Sequence, residues 1–200
     1  MTLPAATVDY SSDTVYVGVP DRIVGSVMKA PRGTALPTDA TSAPDPAFVG
    51  CGYITEDGCT LADAQTWTDI KDWGGDTVRR IKSTSDVTVA TTFLEVNPES
   101  AKAAFGEDNV VITAGTASTG TSMAIKLNVT QPERASWLVN MLDGERHIRL
   151  VIADGQVTER GDMQFTRTAA VVIPVTIAAA PDEDGNTVII YTDDGVHVGP

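Results

Sequence analysis

Basic residues are scarce in this sequence. Lys and Arg total 14 against 27 Asp and Glu, a net charge of −13 over 200 residues. Nucleic-acid affinity rests largely on phosphate neutralisation by basic groups, so a chain this acidic is repelled by duplex DNA. Taken alone, the charge serves solubility. Cysteine and histidine are nearly absent as well, with Cys51, Cys59, His147 and His197 the full set. Two cysteines are too few for a structural zinc site unless histidine joins them, and both histidines lie far off in sequence. Reduced, partly buried thiols in a cytosolic setting are the expectation; a Cys51–Cys59 disulfide is the alternative. Long hydrophobic runs are missing: nothing approaches the roughly 20 apolar residues of a membrane span. The N-terminus shows no basic segment followed by an apolar run, so no signal peptide and no membrane partner are expected.

What is present suits one well-buried domain. The apolar fraction is 42%, ordinary for a packed core. The few bases are unevenly placed. Residues 33–70 hold six acids and no Lys or Arg, and residues 168–200 hold five acids and again no base. Such asymmetry suits head-to-tail self-association, although charge runs are commonly just solvated faces.

Along the chain, residues 1–13 are small and polar and read as a flexible arm. Residues 14–19 and 23–28 read as short strands. Residues 30–48 contain Pro31, Pro37, Pro44 and Pro46, which block helix and break sheet ladders, so a loop is expected. Residues 61–76 read as a long excursion loop. Two strands, 77–83 and 86–96, follow around an "STSD" turn, and in the second Val87, Val89, Thr91 and Phe93 share one face. One helix stands out: Asn97 caps it, Pro98 takes its first position, and Gly106 stops it after about two turns of 3.6 residues. The second half reads as β throughout, with strands at 122–130, 135–142, 147–152, 156–159, 165–180 and 188–191. Asp143-Gly144 and Asp154-Gly155 are taken as hairpin turns. Pro174 marks an edge or a bulge. Many short strands with one short helix predict a mainly β fold, a β-sandwich or barrel with long inter-strand loops.

Chemical motifs are weak. "GTASTGTS" (115–122) has the glycines of a phosphate-binding loop but neither its lysine nor a following helix, and reads as a hairpin tip. "PDEDGNT" (181–187) has its glycine too early for a calcium loop and no closing glutamate, and reads as an acidic turn. No G-x-S-x-G is present, and neither histidine has an evident nucleophile beside it. No enzyme, metal or cofactor is expected. The one dense basic cluster is "VRRIK" (78–82), whose charges alternate along a strand; a charged edge or an inter-subunit contact explains it better than DNA binding.

Three blocks carry a resemblance. They are "APRGTALPTDATSAPDPAFVGCGYITEDG" (30–58), "TWTDIKDWGGDTVRRIKSTSDVTVATTFLEVNPESAKAAFG" (66–106) and "MLDGERHIRLVIADGQVTERGDMQFTRTAAVVIPVTIAAAPDEDG" (141–185). In this order the sequence resembles the major tail tube proteins of long-tailed bacteriophages, notably actinobacterial siphophages. The cysteines at 51 and 59 depart from the apolar or small residues expected there. Some relatives carry an added immunoglobulin-like domain, for which this chain ends too soon. The resemblance implies a β-sandwich, shared with the tube of type VI secretion, that forms six-fold rings stacked into a hollow tube. Phage DNA passes through that tube without specific binding. The implied partners are further copies, the tape measure protein and tail terminator or tip proteins. The implied location is the virion tail, with assembly in the host cytoplasm.

Within this frame the candidate subunit-interface residues are Trp67, Ile70, Trp73, Gly74, Gly75, Arg79, Arg80 and Lys82. Large apolar side chains on a monomer's surface usually mark an interaction site, and tryptophan is enriched among residues that dominate interface energy. Gly74 and Gly75 let the chain bend sharply. Packing of both tryptophans within their own subunit is the alternative. A receptor- or carbohydrate-binding β-sandwich of a phage tail tip is the alternative function.

Overall fold

The computed structural model describes residues 15–21 and 26–196, so the expected N-terminal arm and His197 lie outside the described residues. The strands are β1 (Val19–Pro20), β2 (Val27–Pro31), β3 (Val49–Gly50), β4 (Ile54–Lys71), β5 (Thr77–Phe93), β6 (Val110–Thr113), β7 (Ser122–Ile125), β8 (Ala135–Asp143), β9 (Arg146–Arg160), β10 (Ile173–Ala180) and β11 (Ile189–Asp193). One helix, α1 (Pro98–Phe105), follows β5. The main sheet is antiparallel in the order β3-β2-β8-β9-β10-β5-β4, with β1 beside β8 and β11 beside β9; β6 and β7 form a separate ribbon.

The sheet cannot be flat. Gly50 ends the strand at one edge, and Ile54, which pairs with Phe93, begins the strand at the other. Four residues reach at most about 14 Å. Six inter-strand steps across a flat sheet of this order cover about 29 Å. The sheet is therefore curled so that its edges approach, as in a partly open barrel. This is the mainly β fold that the strand pattern predicts.

Both faces of the sheet's middle are covered. Trp137, Val139, Ile152, Val157, Ile173, Val175, Ile177, Val89 and Phe93 form one core with Ala101, Ala104 and Phe105 of α1. Met28, Leu138 and Val151 form a second core on the opposite face, with Phe48 and Leu36 of the proline-rich segment. Residues 135–140 of β8 are accordingly buried without alternation, as a strand covered on both faces must be. The proline-rich segment stays irregular between β2 and β3, but it is pinned. Arg149 of β9, itself buried, donates from Nη1 to the carbonyls of Asp39 and Ser42 at 3.0 and 2.8 Å, and from Nε to Asn140 Oδ1 at 2.7 Å. Burial lowers the Arg149 pKa, opposed by the nearby carboxylates of Asp39 and Asp21.

Helix α1 matches its reading. Asn97 Oδ1 accepts from Ser100 N at 2.8 Å, Ser100 Oγ accepts from Asn97 N at 3.0 Å, and Gly106 closes the helix with φ +90°. The β8–β9 hairpin is also as expected: Asp143 pairs with Arg146 across Gly144 at φ +66°. A positive φ at the first central position but not at the second, Glu145, makes this a type II′ turn. The "GTASTGTS" stretch closes the β6–β7 ribbon, Thr116 N donating to Thr119 O. The acidic stretch 181–187 is a turn, with Gly185 N donating to Asp182 O.

Of the strand expected over 14–19, only Val19 among the described residues lies in a strand, and four further segments differ from their reading. The strand expected over 165–180 is regular only in β10, and that expected over 122–130 only in β7. Pro174 lies on no edge, since β10 pairs with β5 and β9; it precedes the first residue paired to β9, and a register shift of the bulge kind follows between Thr176 and Ile177. Asp154-Gly155 is no turn but the middle of continuous β9. Its glycine serves close approach: a Cβ there meets Trp137 Cδ1 at 2.8 Å and Ile177 Cγ2 at 2.9 Å. Gly155→Ala is therefore expected to destabilise the fold by about 1–3 kcal/mol through overpacking. A lower denaturant midpoint with an unchanged slope checks it. The fourth difference, over 61–86, concerns the site.

Cys51 and Cys59 are both free thiols. Burial pushes the Cys51 thiol up to about 12 and raises that of Cys59. The thiolate is the reactive form, so iodoacetamide at pH 8 should leave both untouched in the native protein and label them in denaturant. Rapid native labelling of Cys51 would show that the β2–β3 edge opens.

Candidate assembly interface

Residues 61–71 do not form a loop. They continue β4, which pairs with β5 to make one long hairpin, and the "STSD" stretch lies inside β5 rather than at a turn. Small and polar residues on both faces of β4 hide its strand character. Its partner supplies the β-branched residues Val78, Ile81, Thr84, Val87, Thr88 and Val89. Strand β10 pairs with β5 only as far as Val87. Beyond it, ten residues of β5 have β4 as their one ladder partner among the described residues, so a two-stranded ribbon projects about 33 Å at the usual rise per residue. All of this ribbon is exposed.

Its tip is Asp72-Trp73-Gly74-Gly75-Asp76. Gly75 N donates to Asp72 O at 3.1 Å, Asp76 N donates to Asp72 Oδ1 at 2.8 Å, and Gly75 takes φ +94°. Trp73 is fully exposed, while Trp67, Ile70 and Ile81 are each roughly half-exposed.

Register sorts the ribbon into two unlike faces. On one, Thr60 pairs with Ala90, Ala62 with Thr88, Ala64 with Asp86, Thr66 with Thr84, Thr68 with Ile81 and Ile70 with Arg79. Between the fourth and fifth pairs Ser83 is an extra residue in β5. This bulge flips the β5 alternation and keeps the small-residue face continuous. Thr68 Oγ1 and Ser83 Oγ share a hydrogen bond of 2.6 Å across it. On β10 the face continues through Thr176 and Ala178, opposite Ala90 and Thr88. Asp57, Glu159, Thr60, Thr92 and Thr176 line a shallow depression of about 250 Å³ there. The face thus holds the acids Asp57, Asp86 and Glu159, and its one base is Arg79 near the tip.

The opposite face carries Trp67 across from Lys82, and Asp69 across from Arg80. Arg80 Nε donates to Asp69 Oδ1 at 2.7 Å, and that hydrogen bond lowers the Asp69 pKa. Asp63 accepts from Gln65 and Ser85, which lowers its pKa too. These groups are fully exposed, so they fix the ribbon's shape more than its stability.

The sequence-predicted residues Trp67, Ile70, Trp73, Gly74, Gly75, Arg79, Arg80 and Lys82 therefore all lie on this one ribbon, though on different faces of it. Sequence reasoning missed the ribbon's regularity and the small-residue face of β4; the alternation of Thr and Ala at even positions 60–68 was the available signal.

Among the described residues, no group of three or more His, Cys, Asp or Glu could hold a metal ion, and no helix is long and apolar enough to cross a membrane. A curled antiparallel sheet with a protruding ribbon places the chain in the mainly β class. The chain belongs to the phage tail tube protein family, whose model matches residues 18–197. It is a structural, non-enzymatic protein of the phage tail, where its partners are further copies and other tail components. Among solved structures it is similar to the tube-terminating cap of the anti-feeding prophage, at 12% identity and TM-score 0.45, over 94% of this chain and 99% of that one. It is also similar to a chain of the PVC extracellular contractile injection system, in its extended sheath–tube complex, at 11% identity and TM-score 0.35, over 92% and 100%. No curated protein matches it.

Proposed function

We propose that this protein polymerises as stacked hexameric rings into the hollow tail tube through which phage DNA passes into the host. The β4–β5 ribbon carries the reading. A two-stranded hairpin is marginal by itself in water, and this one adds a fully exposed Trp73 and half-exposed Trp67, Ile70 and Ile81. Burial against a second copy removes both costs at once. Among the described residues no strand pairs with the outer edge of β4, a hazard on a monomer that becomes a joint in an assembly. A head-to-tail joint closes into a ring when its rotation permits, and a second such joint stacks the rings. Six-fold symmetry comes from the family resemblance, as do assembly in the host cytoplasm and contact with the tape measure and with terminator or tip proteins. Negative-stain microscopy of the expressed chain tests the reading: uniform hollow cylinders are expected. Compact trimers or monomers at all concentrations would favour a tail-tip receptor-binding protein and overturn it.

A further inference from the structure

A cavity of about 750 Å³ opens between β2, β3, α1 and the start of β8. Nothing in the tail-tube assignment gives it a role. Its floor is apolar, made by buried Ala30, Cys51 and Ala135, with Val49 and Ala47 on the wall. Its rim is charged in two sectors. On one side Arg32 and Arg134 share the single carboxylate of Asp154, each at 2.6 Å, and beside Arg134 the lining residues Lys29 and Glu133 form their own ion pair. On the other, Glu99, Glu107 and Asp108 line the α1 side, and Lys102 there is held by Glu99 at 3.5 Å.

The tip of the ribbon is the complement of this cavity. Trp73 is a large apolar group with nothing covering it. It sits between Asp72 and Asp76, while Lys71 and Arg79 stand just behind on the two strands. An apolar anchor flanked by acids, with bases one step back, matches an apolar floor with a cationic sector beside an acidic one. The geometry points to the cavity as the receptor for the Trp73 tip of a second copy. Seating it there desolvates the indole and aligns Asp72 and Asp76 with Arg32 and Arg134, and Lys71 and Arg79 with Glu99, Glu107 and Asp108. A buried aromatic in a pocket ringed by charge is the usual anatomy of an interface hot spot. Because tip and pocket are different surfaces, the contact is heterologous and propagates rather than closing a two-fold dimer.

This inference rests on the self-assembly reading, and the test separates the two. A photo-crosslinking amino acid replaces Gly74, beside an intact Trp73, in the full chain, mixed with isotope-labelled copies, and crosslinked peptides are mapped after assembly. Crosslinks between copies to residues 29–32, 47–51, 99–108 or 133–135 are the expected result. In parallel, Ala47→Trp fills the pocket from an exposed position outside the core, and should raise the critical concentration for assembly about thirtyfold, as for loss of a hot-spot residue. Assemblies crosslinked elsewhere, or indifferent to Ala47→Trp, overturn the pocket and leave the tube reading standing. Chains that stay monomeric, with no crosslink between copies, overturn both.

Discussion

Replacing Trp67 and Trp73 together with alanine leaves a folded subunit that no longer polymerises. Neither indole belongs to a core. Both lie on the ribbon beyond Val87, where β10 has ended and β4 and β5 have only each other. Surface substitutions away from caps, cores and buried networks usually shift stability by about 0.5 kcal/mol or less. The β circular-dichroism signal and the denaturant midpoint should therefore barely move. Assembly should suffer far more. Tryptophan hot spots cost about 2 kcal/mol or more each on truncation, and in a polymer every subunit loses the contact. Two such losses weaken association about a thousandfold if they act independently. Sedimentation velocity checks this directly: wild type in large particles, the double variant in a single slow species. Loss of the β signal instead would place the rings in their own subunit's core and overturn the interface reading.

The stretch that forms the ribbon stands out in the sequence, but its architecture was not legible there. Exposed tryptophans, a Gly-Gly pair and the only dense basic cluster all fall between 66 and 82, and composition alone marks that stretch. The strand in 61–71 escapes notice because one face is Thr and Ala and the other mixes Asp, Gln and Trp, so no apolar alternation shows. Serine and aspartate at 83–86 imitate a turn, whereas a bulge at Ser83 absorbs the irregularity without ending the strand. The same limit explains Asp154-Gly155. There the glycine answers to Trp137 and Ile177, residues distant in sequence, and Asp154 answers to Arg32 and Arg134. Local reasoning succeeded where the determinants are local, as at Asn97, Pro98 and Gly106 of α1 and at the Gly144 turn. It failed where partners are supplied from afar.

A conduit must admit a polyanion without holding it, and the small-residue face of β4, β5 and β10 has the composition for such a wall. Its paired positions are Thr and Ala from Thr60 to Thr68 and from Thr92 to Thr84, interrupted by Asp86, with Asp57 and Glu159 beside them. Hydroxyls and methyl groups carry no charge to neutralise phosphates and release counterions, and the carboxylates repel them. The ribbon from Asp63 to Asp86 holds four bases against five acids, so nearly all of the net −13 lies on the rest of the chain. Assembled tubes are therefore expected not to retain duplex DNA at about 0.15 M salt, where screening acts over about 8 Å. Placing bases on this face should reverse that. With Ala62→Lys and Thr66→Lys, each ring gains a circle of cations, and phosphate neutralisation with counterion release should make the channel a brake. A filter-binding assay on intact tubes is expected to show no retention for wild type. For the double-lysine variant it should show strong retention at low salt that falls steeply as salt is added. Salt-sensitive retention by wild-type tubes would mean that the opposite face, with Arg80 and Lys82, lines the lumen instead. Assembled double-lysine tubes that ignore DNA would mean that the small-residue face is turned away from it.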